Sequence, residues 1–170
     1  MKVLLAVDES GCAEAAVAML IEQFRPERTE VRAIHVIEWT HDVPTTLAFA
    51  EGPSAAACVL RAKDDLQRRA DELLGRVVTR LQGAGFTATA HLVEGGPCQA
   101  IVAMAADWPA DAIVVGSHGR HGLDRLLLGS VSDGVVRHAR CSVYVVREHG
   151  AARVAAPPPA FLETVHHPAE

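Results

Sequence analysis

Short apolar runs alternate along this chain with longer segments of helical periodicity. Val3-Leu4-Leu5-Ala6-Val7 is closed by Asp8, Ala112-Ile113-Val114-Val115 by Gly116, and Ser142 leads into Val143-Tyr144-Val145-Val146. From Glu30 to Ile37 the apolar positions are Val31, Ala33, Ile34, Val36 and Ile37, and Phe86 to Val93 alternates. Runs this short read as strands, and the continuous ones as strands buried on both faces. Between them the period changes. Ala16, Met19, Leu20 and Phe24 recur at helical spacing from Cys12 to Phe24, with Ser10 as the capping residue and Pro26 as the stop. Ser54 is placed to cap a long helix to about Leu81. Its stripe of Val59, Ala62, Leu66, Ala70, Leu73, Val77 and Leu81 opposes a solvated face of Lys63, Asp64, Asp65, Arg68, Arg69, Glu72, Arg76 and Arg80, and Gly83 and Gly85 end it. Gly96-Pro97 opens a third helix, carrying Ile101, Val102, Ala105 and Ala106, that stops at Trp108-Pro109. A fourth runs from about Val131 to His138. This alternation predicts right-handed βαβ units around a parallel sheet, an α/β fold.

Two stretches carry no period. Glu38 to Ser54 is long and irregular, with Pro44, Gly52 and Pro53, in the manner of a binding loop, a lid or a disordered segment. Glu148 to Glu170 holds three consecutive prolines, Pro157 to Pro159, and reads as a flexible or extended tail. The 170 residues therefore divide into a domain over 1–147 and a Pro-rich tail over 148–170.

Composition narrows the function classes. With 49% hydrophobic and 22% charged residues the chain can bury a core, and with 4% aromatic residues that core must be aliphatic. A net charge of −5 provides no basic field for nucleic acid. No apolar stretch approaches a membrane span, and the run after Met1-Lys2 is too short for a signal-peptide core. The four cysteines, Cys12, Cys58, Cys98 and Cys141, are scattered, form no Cys-x-x-Cys pair and sit in or beside apolar segments, so they are expected to be buried thiols. A soluble protein of the reducing cytoplasm is the expectation.

The chemistry concentrates in Gly116-Ser117-His118-Gly119-Arg120-His121-Gly122, which follows an apolar strand, and in Gly129-Ser130-Val131-Ser132, which opens a helix. Glycines let main-chain N–H groups approach phosphate, and a helix start adds unpaired donors and the positive end of its dipole. Ser130 and Ser132 could add hydroxyls, and His118, Arg120, His121 and Arg125 make this the most cationic loop of an acidic chain. The segment lacks the Gly-Lys-Ser/Thr of a P-loop and the Gly-x-Gly-x-x-Gly of a dinucleotide fingerprint. Glycines that merely shape a long turn are the alternative.

These segments resemble the universal stress protein family over Met1 to Arg147. Its ATP-binding members share Gly, two residues, Gly, nine residues, Gly, then Ser or Thr, which here is Gly116, Gly119, Gly129 and Ser130. Val3 to Ser10, His35-Val36-Ile37, Gly96-Pro97, Ala110 to Val115 and Cys141 to Val146 match in the same order. The resemblance implies an open five-stranded parallel sheet in the order 3-2-1-4-5 with helices on both faces, the Rossmann-like fold of the adenine nucleotide alpha hydrolases. It implies an ATP-binding stress-response or regulatory module that dimerises through Ser142 to Val146. It places Asp8 and the main chain of Val36 at adenosine, with Asp8 on hydroxyls or a metal. Gly116, Gly119, Arg120, Gly129, Ser130, Val131 and, more weakly, Ser132 then fall around ribose and phosphates. Glu9 stands where the family often has glycine, an extra carboxylate that either weakens nucleotide or recruits Mg²⁺. No catalytic base is marked. The competing readings are a dimeric interaction protein that uses no nucleotide and a weak ATP hydrolase.

Overall fold

The computed structural model describes residues 1–38, 53–119 and 128–148. In chain order these hold β1 (Lys2–Ala6), α1 (Gly11–Gln23), a 3-10 turn (Pro26–Arg28), β2 (Glu30–Ile37), α2 (Pro53–Gly83), β3 (Thr87–Glu94), α3 (Pro97–Asp107), β4 (Ala112–Gly116), α4 (Ser130–His138) and β5 (Ser142–Val146). The strands make one parallel sheet in the order β3-β2-β1-β4-β5. Fold class and strand order are those expected. Of the irregular loop from Glu38 to Ser54, residues 39–52 lie outside the described residues, as do 149–170 of the tail from 148 and 120–127 of the glycine segment.

β1 is central, with Val3 in register with Val31 on one side and Ala112 on the other. Side chains alternate across a strand, so one run feeds two cores. Val3, Leu5 and Val7 pack with Ala16, Val17 and Leu20 of α1 and Leu73, Leu74, Val77 and Leu81 of α2. Leu4 and Ala6 pack on the other face with Ile101 and Ala105 of α3 and Val135 of α4. Leu74 is only 2% exposed, so Leu74→Ala should cost about 2–5 kcal/mol of unfolding free energy through lost transfer energy and the cavity left behind. Urea denaturation reads this directly, and a cost under about 1 kcal/mol would contradict the packing of α2 on the sheet.

Three local expectations are corrected. The long helix begins at Pro53, not after a Ser54 cap, because proline is pre-set for the first helical position. The last helix begins one residue early, at Ser130, with Gly129 as its cap residue. The cysteines are not buried: Cys58 is exposed, and Cys12, Cys98 and Cys141 are half-buried. Cys58 sits on the first turns of α2, where Val59 of the apolar stripe is also 37% exposed and full burial starts only at Ala70. The charged face of α2 is solvated as expected, with Arg68 bridging Asp65 and Glu72 at 3.1 and 2.9 Å.

Candidate functional site

β1 and β4 lie side by side, yet β1 leads towards β2 and β4 leads to β5 on the other side. Crevices beyond the carboxyl ends of such strands are where open α/β sheets take ligands. Asp8 follows β1 and Gly116 ends β4, so this crevice is built from the segments the sequence singled out.

Its first wall is the turn from β1 into α1. Ser10 caps α1 by accepting the Ala13 N–H at 3.2 Å. Its own N–H donates to Asp8 Oδ1 at 3.1 Å, and its hydroxyl donates to the same oxygen. The carboxylate is thereby fixed by one oxygen, and Oδ2 is the oxygen that lies against Gly119, where a Cβ would fall 2.8 Å from it. Below the turn, His35 is 8% exposed and its Nδ1–H donates to the Val7 carbonyl at 2.7 Å. A carbonyl only accepts, so this bond sets the tautomer and pins the residue preceding Asp8.

The second wall is the start and finish of the glycine segment. Gly116 abuts the first turn of α1, with a Cβ there 2.9 Å from Cys12 Cβ and 3.0 Å from the Cys12 carbonyl carbon. Ser117 is 1% exposed and fully engaged: its N–H donates to Val146 O at 2.6 Å, and its carbonyl accepts the Gly129 N–H at 2.8 Å and the Ser132 hydroxyl at 2.9 Å. Its own hydroxyl lies 3.1 Å from His118 Nδ1 and 3.6 Å from Cys12 Sγ. The two ends of the segment thus close on each other at Ser117, and the Ser10 hydroxyl, its one proton shared between Asp8 Oδ1 and the His118 carbonyl at 3.3 Å, ties them to the first wall.

The third element is the N-terminus of α4. Gly129 offers no side-chain cap, so the first amides of α4 receive no acceptor from that residue. Ser130 is exposed, and Val131 is half-buried against the α3–α4 core. Ser132 is 2% exposed, and its hydroxyl is shared between Ser117 O and Gly129 O, so its role is to hold the segment's shape.

The structure therefore brings Asp8 against Gly119, Gly116 against Cys12, and Gly129 and Ser132 onto Ser117, with Ser130 and Val131 following Gly129 on the first turn of α4. Val36 stands apart, two residues beyond Ile34, the last β2 residue paired with β1, and in register with Val93. Its side chain packs into the α3–α4 core, which leaves its main chain as the part able to meet a ligand. Arg120, His121 and Arg125 lie outside the described residues. Sequence reading did not assign Ser117, His35 or the clasp of Ser10 on Asp8. A signal existed for His35, since an inward histidine in a strand covered on both faces must find a partner. None existed for Ser117.

A sequence model of the universal stress protein family matches residues 1–147. The chain belongs to the universal stress protein family. Universal stress protein Sll1388 of Synechocystis sp. is 30% identical over 149 residues, covering 86% of this chain and 97% of that protein. Universal stress protein MJ0531 of Methanocaldococcus jannaschii is 31% identical over 147 residues, covering 86% and 82%. Among solved structures, MJ0577 matches with a TM-score of 0.72 and 28% identity over 88% of this chain and 97% of that one. The same fold recurs in a universal stress protein in complex with cAMP (TM-score 0.61, 22% identity), one from Arabidopsis thaliana with AMP bound (0.60, 21%) and one from Archaeoglobus fulgidus in complex with dAMP (0.55, 23%). These three cover 86 to 94% of this chain and 97 to 99% of each of those.

Proposed function

We propose that this universal stress protein binds an adenine nucleotide, ATP in the first place, between the ends of β1 and β4. It acts as a nucleotide-dependent stress-response or regulatory module, as a homodimer paired through β5. One observation carries the reading: the glycine segment closes on itself at Ser117, with Gly119 against the fixed carboxylate of Asp8 at one end and the side-chain-uncapped N-terminus of α4 at the other. Helix amides that lack a side-chain acceptor suit phosphate oxygens. A carboxylate with one oxygen pinned suits ribose hydroxyls, or a Mg²⁺ carried by the phosphates. The glycines fit as well, because at Gly116, Gly119 and Gly129 a Cβ would press on Cys12, Asp8 and Ser117.

In this reading Gly116, Gly119, Ser130 and Val131 wrap ribose and phosphates with main-chain groups, Gly129, whose N–H is spent on the Ser117 carbonyl, leaves room for them, and Ser132 holds their curvature. Val36 offers main-chain groups to adenine, and Arg120 adds charge to the phosphates. The nucleotide complexes of the structural neighbours support the ligand class. A cytoplasmic setting is in keeping with four cysteines that form no disulfide.

The test is acid extraction and mass spectrometry of the purified protein, followed by calorimetric titration of the stripped protein with ATP, ADP and AMP, with and without Mg²⁺. Saturable binding at one site per chain is expected. The absence of both carried-over nucleotide and titration heat would favour an interaction protein that does without nucleotide. Release of ADP over several turnovers per minute would promote the hydrolase reading.

A further inference from the structure

His118 is the one imidazole among the described residues that belongs to the glycine segment, and beyond general positive charge the nucleotide reading gives it no specific task. Its position is over-determined. Its carbonyl lies 3.3 Å from Ser10 Oγ, its Cα lies 3.4 Å from where a Gly129 Cβ would be, and its Nδ1 meets Ser117 Oγ at 3.1 Å. Nε2 has no partner among the described residues, and the side chain is half-buried. Ser117 Oγ is buried and has a second neighbour, Cys12 Sγ at 3.6 Å.

A hydroxyl has one proton to give and lone pairs to accept with, so this three-membered chain runs in either direction. With His118 neutral and its proton on Nε2, the thiol donates to Ser117 Oγ and Ser117 Oγ–H donates to Nδ1. With His118 protonated, Nδ1–H donates to Ser117 Oγ, and Ser117 Oγ–H turns to Cys12 Sγ. The imidazole can therefore gain a proton while buried Ser117 stays paired on both sides; only the half-buried Cys12 S–H, a weak donor, gives up its acceptor, which lowers the usual cost of charging a histidine in a packed turn.

Resting on the nucleotide reading, we infer that His118 makes phosphate binding proton-linked: it charges when a polyphosphate enters, and Ser117 and Cys12 reverse their hydrogen bonds to receive the charge. The ligand class is then the phosphate chain, and the linkage is larger for ATP than for AMP. The charged and titratable groups facing His118 are few among the described residues. They are Asp8 from the β1–α1 turn, linked through Ser10, and Cys12 from α1, linked through Ser117. Glu9 beside Asp8 is exposed, Glu148 lies against Gly11 at the start of α1, and Asp133 of α4 is held by Arg137 at 2.9 Å. The sign follows directly. Protonated His118 favours the anion, so binding takes up protons and affinity falls as pH rises through the range where histidines titrate.

The experiment is calorimetric titration of ATP and AMP at pH 6 and pH 8, in buffers of different ionisation heat, on the wild type and on His118→Asn. Asparagine keeps a group that can meet Ser117 Oγ but cannot be protonated. The terminal phosphate titrates in both proteins, so the difference between them isolates His118. On binding ATP the wild type is expected to take up more protons than His118→Asn does, and its affinity to weaken about three- to tenfold more between pH 6 and pH 8. A smaller difference is expected for AMP. Equal proton uptake and equal pH slopes in the two proteins would overturn the inference while leaving the nucleotide site intact. No heat with either nucleotide at either pH overturns the nucleotide reading, and the linkage with it. If His118→Asn does not fold, the imidazole C–H resonance of wild-type His118 decides: its titration midpoint rises on adding ATP, and an unmoved midpoint rejects the linkage.

Discussion

Gly129→Leu is expected to weaken ATP binding by at least about a hundredfold, roughly 2.7 kcal/mol, while both sheet cores stay folded. The backbone at Gly129 has φ −64° and ψ 154°, an ordinary extended conformation, so the glycine is not there for its dihedral freedom. It is there for space. A Cβ would stand 3.1 Å from the Ser117 carbonyl oxygen and 3.4 Å from His118 Cα, and both are main chain. Main chain yields less readily than the tip of a side chain. Ser117 in particular is held by Val146 O, by the Gly129 N–H and by the Ser132 hydroxyl. The branched side chain must therefore open the closure between Gly129 and Ser117, which displaces the first amides of α4 from the glycine segment. Gly129→Ala should fall between leucine and wild type, because its methyl asks for a few tenths of an ångström only. Calorimetric titration reads the affinity, and thermal unfolding of the same samples reads the fold. Unchanged titration by the leucine variant would reject the site.

The fold was legible because its strands carry a signal strong enough to survive ignorance of their partners. Val3 to Val7 and Ala112 to Val115 are apolar at every position, and runs this short, closed by Asp8 and Gly116, favour strands covered on both faces over helix. Strand order is not written in any one run; it came from the matching of several segments to a known family. The site was legible where glycine spacing marks it, and illegible where polar contacts span the chain. Asp8 against Gly119, His35 on Val7, and Ser117 on Val146 join positions far apart in sequence, and none leaves a periodic trace. The expectation of a buried Cys58 failed for a geometric reason. An apolar stripe says which side of a helix faces inward, not how far the cover extends. The 31 residues of α2 span about 46 Å, while the longest strands have eight residues and about 27 Å, so the stripe outruns the sheet before it reaches Cys58.

Val145→Pro is expected to convert the proposed dimer to monomers without unfolding the domain. In a parallel strand the N–H and C=O of one residue point to one side, and those of the next residue to the other. Ser142 N–H donates to Asp111 O on the β4 side, and Val146 O accepts from Ser117 N–H on that same side. Ser142, Tyr144 and Val146 therefore spend their main-chain groups on β4, and those of Val143 and Val145 point off the sheet. β5 is an edge strand, and an edge with unpaired groups is a template for another strand. A two-fold axis would pair two copies antiparallel, with the same residues from each side. Its flanks suit contact too: Val143, Val145 and Val146 are only partly covered, and Tyr144 is 39% exposed with its ring edge-to-face on Phe24 at 5.5 Å. Proline at Val145 deletes an outward donor and sets a ring in the path of the partner strand, yet breaks no bond to β4. Tyr144→Pro is the control, because it removes a bond to β4 and should lower the melting temperature instead. Sedimentation velocity should show the monomer mass for Val145→Pro, with a melting temperature near that of the wild type apart from the contribution of the dimer itself. A dimer that persists in Val145→Pro would rule out pairing through this edge.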